Sequence, residues 1–162
     1  MAESETSEYR RKFLVVVDDT PECDRAVTFA AHRVKRTGGT VVLLAVIEPI
    51  ESQQWLGVDE VLRVEARERA EELLDVRIAR IAKIGNIRTE TAIREGRAPE
   101  AIERLIRDDP GIAILVLAAS KTGDGPGPLI SAFATRGAGN ALPVLITIVP
   151  AAMSSEDIVA VT

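Results

Sequence analysis

KFLVVVDDTPECDRAVTFAAHRVKRTGGTVVLLAVI, residues 12–47, decides the fold. It opens with KFLVVVDD and closes with TVVLLAVI, two apolar runs without polar alternation. A strand with one wet face alternates apolar and polar residues, so these runs predict strands covered on both faces. Between them, Thr20 is placed to cap a helix with Pro21 at its first position, and Ala26, Val27, Ala30, Ala31 and Val34 form one helical stripe. Gly38 and Gly39 stop that helix. Strand, helix and strand in this order make a right-handed βαβ unit, the building block of a parallel sheet.

The rest of the chain repeats the unit. From 58 to 84, Leu62, Ala66, Ala70, Leu73, Leu74, Ile78 and Ile81 recur at three- and four-residue steps, which predicts a long amphipathic second helix. Gly85 and Asn86 end it, and IRTETAIRE (87–95) reads as a third, less buried strand. Gly96 and Pro99 lead into a third helix with the stripe Ala101, Ile102, Leu105, Ile106, and Asp108, Asp109, Pro110 and Gly111 form a turn. IAILVLA (112–118) is a fourth strand. A Gly/Pro-rich loop runs to Pro128, a short fourth helix covers about 129–138, and PVLITIV (143–149) is the last strand. The expectation is therefore one doubly wound α/β domain with five parallel strands and four helices. A polar leader over 1–11 precedes a domain over 12–150, and a flexible tail over 151–162 has too little apolar content to pack.

Composition narrows the function. With 162 residues, one core is expected. The net charge of -5 argues against nucleic acid, because phosphate-backbone binding draws on clustered Lys and Arg. The longest apolar run, 112–119, is far short of the ~20 residues that span a bilayer, so no membrane association is expected. The single cysteine, Cys23, cannot form an internal disulfide, and the N-terminus has no signal-peptide apolar core; a cytoplasmic location follows.

In open parallel sheets, ligands bind beyond the carboxyl ends of the strands where the strand order reverses. Two loops qualify: the one after strand 1, with Asp18 and Asp19, and AASKTGDGPGPLISAF, residues 118–133. Gly123, Gly125 and Gly127 would let backbone approach a phosphate at the start of helix 4, although Pro126 and Pro128 offer no N–H; a plain flexible turn explains the same glycines. Lys121-Thr122 lacks the glycines of a Walker A loop, and the GxGxG around Gly125 follows the wrong strand for a dinucleotide fingerprint. His32 falls on the polar side of helix 1, where it reads as a solvated residue rather than half of a nucleophile pair. Cys23, in the first helical turn, reads as a packing residue. No metal-ligand spacing is present, and Asp108-Asp109 is explained by its turn.

LVVVDDTPECDRAVTFAAHRVKRTGGTVVLLAVIEP, AIREGRAPEAIERLI, AILVLAAS and LPVLITIVP together resemble the universal stress protein domain, over about residues 12–150. The resemblance implies a sheet of order 3-2-1-4-5, with the switch point between strands 1 and 4. It implies Asp18 on the adenine side of a nucleotide and Val46 near the base or ribose. The family's phosphate motif, G-x-x-G, nine residues, then G-S or G-T, falls on Ala118, Lys121, Ser131 and Ala132, with the spacing kept and every motif residue replaced. A Cβ at 118 and 131 is disfavoured where glycine adopts positive φ, Ala132 lacks the hydroxyl, and Lys121 brings an ammonium that can pair with a phosphate or fill its space.

The resemblance therefore points to a cytoplasmic stress-response regulator with a degenerate site for ATP or another adenine nucleotide and no metal cofactor. It is expected to act as a homodimer through the last strand, Val144 to Val149, and through an unidentified regulatory protein partner. The alternative is an ATP- or AMP-binding switch using the crevice between Asp18 and the 118–132 loop. Enzymatic activity is not expected; a slow ATP hydrolase would have only Asp18, Asp19 and Asp124 to position water.

Overall fold

The computed structural model describes residues 11–49, 58–121, 125, 127–134 and 142–162. Its elements follow the βα alternation of the sequence: β1 (Lys12–Val17), α1 (Glu22–Thr37), β2 (Thr40–Ile47), α2 (Val58–Ile84), β3 (Thr89–Glu95), α3 (Ala98–Asp108), β4 (Ile112–Ala118), α4 (Pro128–Ala134), β5 (Leu145–Val149) and α5 (Ser155–Val161). The strands form one sheet in the order β3-β2-β1-β4-β5, all neighbours parallel.

The unbroken apolar runs are central because both of their faces are covered. Phe13, Val15 and Val17 of β1 join Val41, Leu43 and Ala45 of β2 in one core layer, beneath the α1 stripe and Ala70, Leu74 and Ile81 of α2. Leu14, Val42, Leu44, Leu115 and Leu117 point the other way, against Ile102, Leu105 and Ile106 of α3 and Ile130 and Phe133 of α4. Val15, Val27, Leu43, Leu44, Ile102 and Leu115 are fully buried, each stabilising by roughly 1.5–3 kcal/mol against exposure. The turn from α1 into β2 needs its second glycine. Gly39 has φ +118, and a Cβ there would run into the backbone carbonyl of Arg11.

Several boundaries differ from the sequence reading. β1 stops at Val17 rather than running through 18–19, because Asp18 turns back to accept hydrogen bonds from the Thr20 N–H (2.9 Å) and hydroxyl (2.5 Å). With that hydroxyl engaged, Thr20 does not cap α1; Pro21 occupies the cap position and provides no side-chain bond. β3 begins at Thr89 rather than 87, and β5 at Leu145 rather than 143, where proline lacks an N–H for the ladder. The expected helix over 129–138 is seen as α4 to Ala134; positions 135–138 lie outside the described residues, as does the expected leader over 1–10.

The largest correction concerns the C-terminus. The segment expected as an unpacked tail forms a fifth helix, α5, opened by a capping box: the Ser154 side chain accepts from the Asp157 N–H at 3.1 Å, and Asp157 accepts from the Ser154 N–H at 3.1 Å. Ile158 is fully buried in the α1-side core, and Arg33 of α1 donates to the Thr162 carbonyl at 3.1 Å. One well-placed isoleucine is enough because α1 already presents an apolar surface to receive it.

Candidate functional site

β1 and β4 are neighbours, paired through Val15 and Val116, and their chains leave the sheet in opposite lateral directions, to α1 and to α4. That divergence opens a cleft of about 200 Å³ at the carboxyl ends of the two strands. Its walls are apolar, with Val16, Ala26, Val116, Leu129 and Ile130 among them, and its polar edge consists of Asp18, Thr20, Glu22 and Ser120. No Lys or Arg is among the described lining residues.

Of the residues expected at a nucleotide, two line this cleft. Asp18 follows the last residue of β1, and Ala118 is the last residue of β4. The other four do not line it. Val46 sits one strand away on β2, half-buried against the core layer beneath α3. Lys121 is exposed beyond the rim. Ser131 has an exposed side chain and spends its backbone N–H on the Gly127 carbonyl at 3.0 Å, and Ala132 is half-buried within α4. Gly125 and Gly127 have φ +102 and +116, a conformation that suits glycine, while Gly123 and Asp124 lie outside the described residues.

A carboxylate that sequence reasoning passed over, Glu22, completes the site. At the first position of α1 its carboxyl is held below the usual range, chiefly by its own backbone N–H and more weakly by the Lys121 N–H and the Arg25 charge, while the Thr20 hydroxyl proton is committed to Asp18. Arg25 donates to the Ala119 carbonyl at 2.6 Å. Through Arg25, the first turn of α1 thus holds a carbonyl of the chain leaving β4. The sequence signal for Glu22 was slight: an acidic residue in a helical first turn is ordinarily favourable to the dipole and needs no other role.

Behind the cleft, α2 holds the β1–α1 turn. Arg77, nearly buried, donates to the Asp18 carbonyl at 3.0 Å and forms an ion pair with Asp24 at 3.2 Å, while Arg80 donates to the Thr28 hydroxyl at 3.2 Å. Cys23 is buried beside them, its Sγ 3.6 Å from the Val16 carbonyl oxygen; desolvation raises its thiol pKa, which opposes activation by the helix dipole. His32 is half-buried on α1, with its pKa lowered by desolvation and by Lys35. Asp109 has more than a turn role: besides accepting from the Gly111 N–H at 3.0 Å, it pairs with Lys12 at 2.9 Å, at the opposite end of the sheet from the cleft. Among the described residues no cluster of His, Cys, Asp and Glu is placed to hold a metal ion, and no helix is long and apolar enough to cross a membrane.

Comparison with known proteins agrees with this architecture. No curated protein sequence matches the chain significantly. Among solved structures, the chain is similar to the universal stress protein UspA from Lactobacillus plantarum (22% identity, 86% of this chain and 97% of that one, TM-score 0.70). It is also similar to the universal stress protein from Archaeoglobus fulgidus in complex with dAMP (16% identity, 85% and 96%, TM-score 0.62). A third is a universal stress protein family protein from Arabidopsis thaliana with AMP bound (16% identity, 86% and 91%, TM-score 0.60). A profile of the universal stress protein family matches residues 10–146, most of the βα alternation described above. This chain belongs to the universal stress protein family.

Proposed function

We propose that the protein is a cytoplasmic stress-response regulator that acts as a homodimer and signals through protein contacts, with a degenerate nucleotide site. The observation that carries this reading is the contrast between the two sheet edges. β3 has Glu90, Arg94 and Glu95, charges that discourage pairing with another strand. β5 has none: it reads LITIV, with Leu145 71%, Ile146 40% and Ile148 42% exposed. An uncharged apolar edge with open main-chain groups is suited to a second copy of the same strand. Sedimentation velocity should give a species of about twice the 17.5 kDa chain mass at micromolar concentration. The double variant Ile146→Lys, Ile148→Lys should sediment as a folded monomer, whereas a monomeric parent would overturn the reading.

The alternative, an adenine-nucleotide switch, is favoured by the cleft at Asp18 and Ala118 and by the dAMP and AMP in two structures of similar fold. Denaturing the purified protein and identifying any released nucleotide by mass spectrometry tests it directly. Ligand-dependent thermal stabilisation by millimolar ATP, ADP or AMP is the second readout, since even weak sites stabilise at ligand concentrations above Kd.

A further inference from the structure

Charge is unevenly placed along the first two helices. Residues 25–47 and 76–89 contain no Asp or Glu, and Arg33, Lys35, Arg36 and Lys83 fall within them. The fold sets the last turns of α1 and α2 side by side at the amino end of β2. The Lys35 ammonium donates to the Ile84 carbonyl at 2.8 Å, which ties one helix end to the other. Arg11, next to the start of β2, donates to the Thr37 carbonyl at 3.1 Å and receives the Thr40 N–H at 3.1 Å on its own carbonyl. Arg36 and Lys83 are exposed and pair with no carboxylate among the described residues. On other surfaces Arg67, Arg69, Arg97 and Arg107 each pair with an acid. Glu90 and Asp109, at this end of the sheet, are committed to Lys12, and Asp108 ends α3 on the opposite face. Helix dipoles favour a cation at each C-terminus. They do not account for two acid-free stretches held together by the fold.

We propose that this end of the molecule, formed by Arg11, Arg33, Lys35, Arg36 and Lys83, is a docking surface for a short acidic segment of a partner protein. Lys35 has two further N–H donors beyond the one given to Ile84, and the guanidinium groups have donors to spare. Packed helix axes lie ~8–10 Å apart, a distance that ~3 extended residues span, so a short run of Asp and Glu reaches from one helix end to the other. An extended polyanion fits less well. The chain as a whole has a net charge of -5, and a duplex or a bilayer reaches well past a screening length of ~8–10 Å, where it meets that opposing charge. A short segment senses the local cations alone. β2 lies on the far side of β1 from β5, so this surface stays open in a dimer formed through the β5 edge. The inference goes beyond the dimer reading and gives the contact with a regulatory partner its chemistry.

Fluorescence anisotropy of the full chain with a fluorescein-labelled oligoglutamate of about six residues tests this. At about 50 mM NaCl the peptide should bind saturably, and raising the salt to about 300 mM should weaken it at least about fivefold, as exposed charge pairs require. Arg36→Glu with Lys83→Glu should weaken binding about tenfold or more, whereas Arg97→Glu with Arg104→Glu, the same change in net charge placed on α3, should alter it less than about threefold. No saturable binding, equal losses for the two double variants, or tighter binding of duplex DNA or of phosphatidylserine vesicles at the same salt would each overturn the proposal. The comparison of probes needs no variant and decides the partner class even if a charge reversal unfolds the chain. The outcome is separable from that of the dimer reading: a monomer that binds the peptide at these residues would defeat the homodimer and leave this inference standing.

Discussion

The Nη2 of Arg77 donates to the backbone carbonyl oxygen of Asp18 at 3.0 Å, so a residue on α2 sets the path of the chain as it leaves β1 for the cleft. The same guanidinium pairs with Asp24 at 3.2 Å on α1, and only 7% of Arg77 is exposed. One side chain therefore joins the long helix, the first helix and the turn between them. Arg77→Ala should lower unfolding free energy by about 2 kcal/mol, through lost packing and an unpartnered carbonyl. Arg77→Lys should recover less than half of that, because an ammonium cannot span both acceptors in the geometry of a planar fork. Urea unfolding of the two variants checks the prediction; equal stability of parent and Arg77→Ala would mean the junction is held by packing alone.

Packing of α5 is a part of the fold's stability. Ile158→Ala should cost about 2–4 kcal/mol, the range for a buried isoleucine truncated in a core, and Ser154→Ala about 1 kcal/mol for the lost cap. Removing 151–162 should be at least as costly as Ile158→Ala, since it exposes the α1 surface as well. Thermal unfolding of the truncated chain at the parent's midpoint would contradict this.

Cys23 should behave as an inert thiol. Its burial and raised pKa keep both the sulfur and its thiolate form from reagents. Native protein at pH 8 should react with a thiol-exchange reagent far more slowly than protein in guanidinium chloride, with one thiol titrated per unfolded chain. Reaction of the native protein at the unfolded rate would show that α1 opens at its first turn.

The Lys12 ion pairs predict a loss of stability in alkali. Burial alone would lower the Lys12 pKa, but hydrogen bonds and charges from Asp109 and Glu90, both at 2.9 Å, outweigh it and raise the value. A pKa raised on folding contributes stability that is fully present below the unfolded value, about 10.4, and is lost as pH rises through the folded one. Above about pH 10, the parent should therefore lose more stability than Lys12→Met does. Parallel losses for the two proteins would remove these ion pairs from the account.

Much of this molecule was legible as pattern. The runs at 12–17, 40–47 and 112–118 announce central strands because a strand covered on both faces cannot afford polar alternation, and the α1 and α3 stripes repeat at helical spacing. Strand order and the notch between β1 and β4 came with the family resemblance rather than from the periodicity, and the structure shows both. Asp18 and Ala118 were likewise readable, being the ends of two strands.

Other features depended on the folded chain. α5 contains a single fully buried apolar residue, so its own pattern is too weak to declare a helix; its docking place is the surface of α1, more than a hundred residues earlier. Glu22 looks like an ordinary helix-start carboxylate until the fold sets it on the rim of the cleft between β1 and β4. Lys121, Ser131 and Ala132 keep the spacing of a motif, yet spacing along the chain does not place a side chain in a cleft, and Val46, at the end of a strand one place away, does not line it either. The sequence by itself determined the five strands, the first four helices and the layers, because burial periodicity is a local property of consecutive residues. Only the tertiary structure decided which charges face the cleft and what closes the C-terminus, because those depend on contacts between segments far apart in the chain.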